Sequence, residues 1–256
     1  MQDDLEVQRI HFNKIADKYY HSRQTINHLY FKKLLWTYFF KNKPEVSQMK
    51  IVLEPMCGFM DGSRLLFEQF GNVFDVTSFD YSENVVNESK KRFPSNKIFC
   101  QDITTFETTQ RYDLIILIGG LHHVPAYAEK VVDKLSGFLN RGGHFILFEP
   151  TYANPFYYYI RNLIYKNNKI FEENTERAFN DLELMQYFKK SNLLVVDKMY
   201  VGLLSYILYY NPDAFPYLNI GNTKIVNFFF KIDSFFFRNR IGRFFSFATM
   251  IYLKKQ

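Results

Sequence analysis

Ile51-Val52-Leu53-Glu54-Pro55-Met56-Cys57-Gly58-Phe59-Met60-Asp61-Gly62 is an apolar run that ends in an acid and then turns through glycines into an amphipathic stretch. The run reads as a buried strand. The turn reads as the crevice at the carboxyl end of a parallel sheet, where glycine lets backbone approach a nucleotide-like ligand. Outward from it, between residues 50 and 150, short apolar runs alternate with amphipathic stretches, the pattern of parallel strands joined by crossover helices. Strands are expected at 51–53, 73–79, 97–100, 114–118 and 144–148. Helices are expected at 63–70, 82–92 and 126–139, the second started by Ser82 as its N-cap and ended by Pro94.

Two further acids fall where such a crevice uses them. Phe79-Asp80-Tyr81-Ser82 ends the second strand about 20 residues downstream, where a carboxylate accepts the protons of ribose hydroxyls. Gln101-Asp102-Ile103 closes the third strand, and a carboxylate there accepts from an exocyclic amine. In order and spacing these landmarks resemble the core of class I S-adenosylmethionine-dependent methyltransferases over residues 50–150. The resemblance implies a Rossmann-like α/β fold: a seven-stranded, mostly parallel sheet with helices on both faces. The implied cofactor is S-adenosyl-L-methionine, with S-adenosyl-L-homocysteine as product. By the same resemblance Glu54, Gly58 and Gly62 hold its amino acid part, Asp80 the ribose, and Asp102 the adenine amine with Ile103 beside the ring. Met56, Tyr81 and Gly119 complete the expected set. The family's turn in its commoner form has glycine where this chain has Met56 and Met60, and acid-Pro-Met-Cys-Gly is a familiar variant. The segment 12–20 resembles an N-terminal helix folded over the cofactor, with Tyr19 or Tyr20 facing the sulfonium, since an aromatic ring suits a cation.

The fourth strand leads into Gly119-Gly120-Leu121-His122-His123-Val124, similar to the Leu-His-His turn of many small-molecule methyltransferases. Arg141-Gly142-Gly143-His144 resembles that family's turn before strand five. Methyl transfer is an in-line displacement in which positioning alone supplies effective molarities of about 10⁵ M or more. The base candidates are His123, which is favoured, and His122, because histidine titrates near neutrality. The alternative for each is a hydrogen bond to loop backbone. Methyltransferases acting on amino groups of bases often carry an acidic or amide residue, two prolines and an aromatic after strand four, which this turn lacks. A dinucleotide-dependent oxidoreductase is disfavoured because G-x-G-x-x-G is missing and Glu54 would confront a pyrophosphate. A non-catalytic scaffold subunit is disfavoured by the intact acid set.

The 256 residues are read as one domain, with a helical cap (1–45), a cofactor-binding core (46–150) and a substrate-shaping region (151–256). The net charge of +6 belongs to the C-terminal segment, since residues 220–256 hold seven basic residues and one acid. That concentration lacks the distributed pattern of a phosphate-tracking groove, so nucleic acid is not the expected partner and a small molecule is. The basic, Phe-rich segment suits a peripheral membrane or a lipid-linked substrate, or else solubilises an aromatic region. Ile225, Phe228, Phe229, Ile232, Phe235 and Phe236 recur at helical spacing, with Lys224, Lys231 and Arg238 expected on another face. The commoner reading of such a helix is a core-facing one. The run 244–253 is expected as an antiparallel edge strand. Tyr152, leaving strand five, and Phe156, in an aromatic helix at 155–165, are the expected acceptor contacts; a polar linker at 167–174 follows. A helix near 182–190 and a strand near 193–200 come next. Two dispersed cysteines, no metal-ligand cluster and no secretory or membrane-spanning pattern point to the cytoplasm and to no metal.

Overall fold

The computed structural model describes residues 4–168 and 175–256. In chain order the elements are α1 (Asp4–Ser22), α2 (Ile26–Phe40), β1 (Ile51–Pro55), α3 (Asp61–Phe70), β2 (Asp75–Asp80), α4 (Glu83–Arg92), β3 (Lys97–Cys100) and β4 (Tyr112–Ile118). They continue with α5 (Ala128–Phe138), β5 (Leu139–Tyr152), α6 (Pro155–Asn167), β6 (Phe179–Asn180), α7 (Asp181–Lys190) and β7 (Leu193–Tyr200). The last are α8 (Leu204–Tyr209), α9 (Thr223–Ser234), α10 (Arg240–Phe245) and β8 (Ala248–Lys255). Seven strands line up in the order β3-β2-β1-β4-β5-β8-β7, and the two-residue β6 pairs with the end of β5. Strands β1 to β5 run parallel, while β8 is antiparallel to both β5 and β7.

Period-two alternation explains why the central strands are continuously apolar. Val52, Leu114, Ile116, Ile146, Met250 and Tyr252 face a core built with α2, α3, α8 and α9. Their neighbours Leu53, Ile115, Leu117, Phe145, Leu147, Ile251 and Leu253 face α5 and α7. Both faces are dry, as a parallel sheet covered on both sides requires. Ser82 caps α4 by accepting from the Val85 amide, and that helix stops two residues before Pro94.

Four expectations change. The N-terminal cap is two helices, broken at 23–25, where Arg23 turns away to Asp213 and Asn211. The terminal strand is not an edge but lies between β5 and β7, because Met250, Ile251, Tyr252 and Leu253 are all fully buried and need cover on both faces. The edge is β7, which tolerates exposed Leu194 and Val196. Strand five is longer than expected and starts at Leu139. Finally, α9 turns over relative to its expected core stripe. It buries Val226, Phe230 and Asp233, while Ile225, Phe228, Ile232 and Phe235 are exposed and Phe229 and Phe236 are half-buried. Asp233 decides the orientation: its carboxylate accepts from both the amide and the hydroxyl of Ser205, each at 2.6 Å, and a buried acid needs such partners. The expected polar linker lies outside the described residues from 169 to 174.

Candidate active site

The turn after β1 is held open by its own backbone. The Cys57 amide donates to the Phe79 carbonyl at 2.9 Å, tying the turn to β2. Met56, Gly58 and Met60 have φ of 50°, 50° and 60°. Left-handed backbone costs a side-chain-bearing residue about 1–2 kcal/mol, so this chain keeps a glycine conformation with methionine. Behind the turn, buried Glu54 accepts from the Gly62 amide at 2.7 Å, the Ser63 amide at 3.0 Å and the Ser63 hydroxyl. Burial pushes its carboxyl up to about 7 against the pull of those donors. A methyl group on Gly62 would stand 2.8 Å from Glu54 Oε1, so Gly62 serves the fit of that carboxylate and does not line the cleft.

The cleft beyond the turn is bounded by Glu54, Met56 and Gly58, then by Asp80 and Tyr81, then by Asp102 and Ile103, with Gly119 opposite. Asp80 Oδ2 accepts from the Gly58 amide at 2.9 Å and Oδ1 from the Ser82 amide at 3.0 Å, with the Tyr81 amide a further donor, so the carboxylate keeps acceptor capacity toward the cleft. Burial raises its pKa. Asp102 Oδ1 takes the amide and hydroxyl of Thr104 at 2.7 and 2.8 Å, and none of the described residues donates to Oδ2. These acceptors fit a ligand carrying a diol and an exocyclic amine. Helix α1 closes the cleft with Phe12 and Tyr19. Tyr20 points elsewhere: its ring packs on Phe59 at 4.9 Å, under the Arg92 guanidinium at 3.5 Å.

A second cavity, of about 460 Å³, shares a wall with the first: Phe12, Tyr19, Asp61, Ile118, Gly119 and His123 belong to both. Ile160 and Ile164 of α6 and Tyr206 and Ile207 of α8 make it largely apolar, and Arg23, Arg161 and Glu176 supply charge. Tyr152 and Phe156 do not line it. Tyr152 stacks on Tyr158 at 4.8 Å, and Phe156 is 66% exposed. The helix is the one expected, but its period carries 160, 161 and 164 inward and 156, 159 and 163 outward. That inner stripe was readable once Tyr157 was known to sit on Phe247, at 4.3 Å. Arg23, Glu176 and Asp213 come from three distant loops and carry no local signal.

Between the cavities stands the turn after β4. Glu149, at the end of β5, accepts from the amides of Gly120, Leu121 and His122 at 2.9, 2.7 and 3.3 Å. The same carboxylate receives His122 Nδ1–H at 2.9 Å. Burial keeps the His122 imidazole neutral and pushes Glu149 up to about 7. His123 packs tilted at 41° against His122 with centroids 3.9 Å apart, meets Phe12 edge to face at 4.7 Å, and has Nδ1 3.3 Å from Glu176 Oε1. The sequence shows no metal-ligand cluster, yet the fold brings ligand atoms of His122, His123 and Glu176 within 4.8 Å of one another. With His122 Nδ1 committed to Glu149, the group is arranged as imidazoles oriented by carboxylates.

A parallel half-sheet in the order 3-2-1-4-5, completed by an antiparallel strand, with an acid-glycine turn after β1 and acids closing β2 and β3, defines a class I methyltransferase that uses S-adenosylmethionine. The chain carries that family's domain: residues 52–143 match the family model described as a methyltransferase domain. A sequence comparison with the curated proteins finds no match. Among solved structures, an S-adenosylmethionine-dependent methyltransferase from Clostridium acetobutylicum is similar over 95% of this chain and 97% of its own, at 17% identity and a TM-score of 0.60. A cyclopropane synthase from Mycobacterium tuberculosis is similar over 80% of this chain and 78% of its own, at 14% identity and a TM-score of 0.57. The O-methyltransferase of a trans-AT polyketide synthase multienzyme from Brevibacillus brevis, solved with S-adenosyl-L-homocysteine, is similar over 87% of this chain and 71% of its own, at 15% identity and a TM-score of 0.57.

Proposed function

We propose that the protein methylates a small apolar acceptor, at oxygen or carbon, in the cavity of about 460 Å³. The observation that carries this reading is the shared wall: His123 is the one imidazole that borders both cavities among the described residues. A concave, largely apolar lining with a few charged groups suits a small molecule better than a nucleic acid strand. The names of the cyclopropane synthase and the polyketide O-methyltransferase are consistent with carbon or oxygen acceptors.

In this reading Asp80 takes the ribose hydroxyls with its remaining acceptor capacity, and Asp102 Oδ2 takes the adenine amine beside Ile103. Met56, Gly58 and Gly119 present backbone to the amino acid part, and Glu54 holds the turn in shape. When bound, the cofactor supplies an electrophilic methyl group on a sulfonium. Phe12 and Tyr19 exclude water and aim the acceptor at it. His123 Nε2 would take the proton that the acceptor loses on methylation. Glu176, with Nδ1 beside it, stabilises the resulting imidazolium. His122 is a positioning residue, fixed by Glu149.

Methyl-tritiated cofactor offered to the enzyme with a pooled organic extract of small metabolites, with transfer RNA and with mixed proteins should label only the organic-extractable pool. His123→Ala should lower turnover at least about a hundredfold, the range of a lost general base, while calorimetric affinity for S-adenosyl-L-homocysteine stays within a few-fold. Asp80→Ala should weaken that affinity at least about tenfold. Label entering RNA or protein, or unimpaired turnover in the His123 variant, would sink the reading.

A further inference from the structure

The outward face of α9 is neither core nor an ordinary solvated face. At 100° per residue, Lys224, Phe228, Lys231 and Phe235 fall within a narrow stripe, opposite buried Val226, Phe230 and Asp233. Phe228 is 59% and Phe235 is 80% exposed, with exposed Lys231 between them and exposed Lys224 one turn before. Ile232 and Phe236 continue this surface sideways into a depression of about 330 Å³, where α9 meets Tyr157 of α6, Leu204 and Ile207 of α8, and Ile241 and Phe245 of α10. Contiguous exposed apolar surface on this scale marks an interaction site.

The exposed charge on this surface has one sign, since Asp233, which borders the depression, is itself buried. Lys224, Lys231 and Arg240 are exposed and form no ion pair among the described residues, whereas Arg238 and Arg243 are paired with Asp197 and Asp181. The only acid in residues 220–256, Asp233, is buried against Ser205. Among the described residues no helix is long and apolar enough to cross a membrane. An apolar face rimmed by cations is the pattern of a helix that lies in a membrane interface. Phenyl rings outnumber the cations, which fits a partner offering hydrocarbon beneath anionic groups.

We propose that the face formed by α9, α10 and the outer sides of α6 and α8 docks the protein on an anionic lipid bilayer, with Phe228 and Phe235 inserted at the headgroup boundary and Lys224 and Lys231 on lipid phosphates. Ile207 belongs both to the depression and to the cavity of about 460 Å³, so the docked face adjoins the acceptor cavity. Docking itself does not depend on which acceptor is methylated.

The test is sedimentation of the whole protein with vesicles of phosphatidylcholine alone and of phosphatidylcholine mixed equally with phosphatidylglycerol. Wild type should pellet with the mixed vesicles and at least about tenfold less with the neutral ones, since each basic residue contributes only near an anionic surface. Phe228→Ser/Phe235→Ser and Lys224→Glu/Lys231→Glu should each lose binding at least about tenfold, with calorimetric affinity for S-adenosyl-L-homocysteine unchanged. That calorimetry separates loss of docking from loss of the cofactor site. Wild type remaining in the supernatant with both vesicles overturns the proposal. So does binding that depends on the lysines but not the phenylalanines, which indicates a soluble polyanion. A self-association that the phenylalanine variant abolishes overturns it too, because the face is then an interface between two copies.

Discussion

Glu54 shows how one residue was legible in place and not in role. An acid at the end of the first strand is visible in the sequence, and so are Asp80 and Asp102, because each interrupts an apolar run at the point where a parallel strand must end. What Glu54 bonds to depends on three-dimensional contacts with Gly62 and Ser63 that spacing alone does not specify. Its folded pKa of about 7 stands above the ordinary 4.5, so its contribution to stability is fully present below about pH 4.5 and lost as pH rises through about 7. Urea unfolding at pH 5, 6, 7 and 8 should therefore show wild type losing stability relative to Glu54→Gln as pH rises. A difference that stays flat over that range would remove Glu54 as a buried, proton-retaining acid. Glu149 escaped sequence reading because nothing local distinguishes an acid before Pro150 from a solvated one. Its four donors come from the turn after β4 and belong to the tertiary fold.

Secondary structure elements were readable where one period dominated. The strands β1, β3, β4 and β7 and the cap of α4 follow from apolar runs and Ser82. Helix α9 did not, since phenylalanine and isoleucine occur on all its sides and the orientation rests on the single acid Asp233. The two faces are separable by substitution. Phe230→Ala, on the buried side, should cost about 3–5 kcal/mol in urea unfolding, as an emptied aromatic site does. Phe228→Ser, on the outer side, should stay within about 0.5 kcal/mol. Equal losses at the two positions would mean that α9 is covered on both sides. Gly242 marks the same packing, because a methyl group there would run into the Phe236 carbonyl, so α10 meets the end of α9 through bare backbone.

Across the whole molecule the two cavities meet under one helix. Phe12, Ile15 and Tyr19 of α1 cover the cavity of about 460 Å³, and Phe12, Ala16 and Tyr19 cover the cleft beside Asp80 and Asp102. Amide exchange in α1 should therefore slow at least about tenfold when S-adenosyl-L-homocysteine is added, while the buried centres of strands β4 and β5 barely change. Unchanged exchange in α1 at saturation would show that the helix is not part of the closed cleft. The position of β8 has a different consequence, in the order of events during synthesis. Among the described residues strand β7 pairs only with β8, and β5 has an open edge over 144–150 until residues 248–255 emerge. At about 5–20 residues per second, the ribosome leaves both strands waiting on the order of seconds after β7 is made. The sheet thus closes only after residues 248–255 have been translated, and the nascent protein until then carries a sticky, unpaired strand edge that a chaperone is well placed to shield.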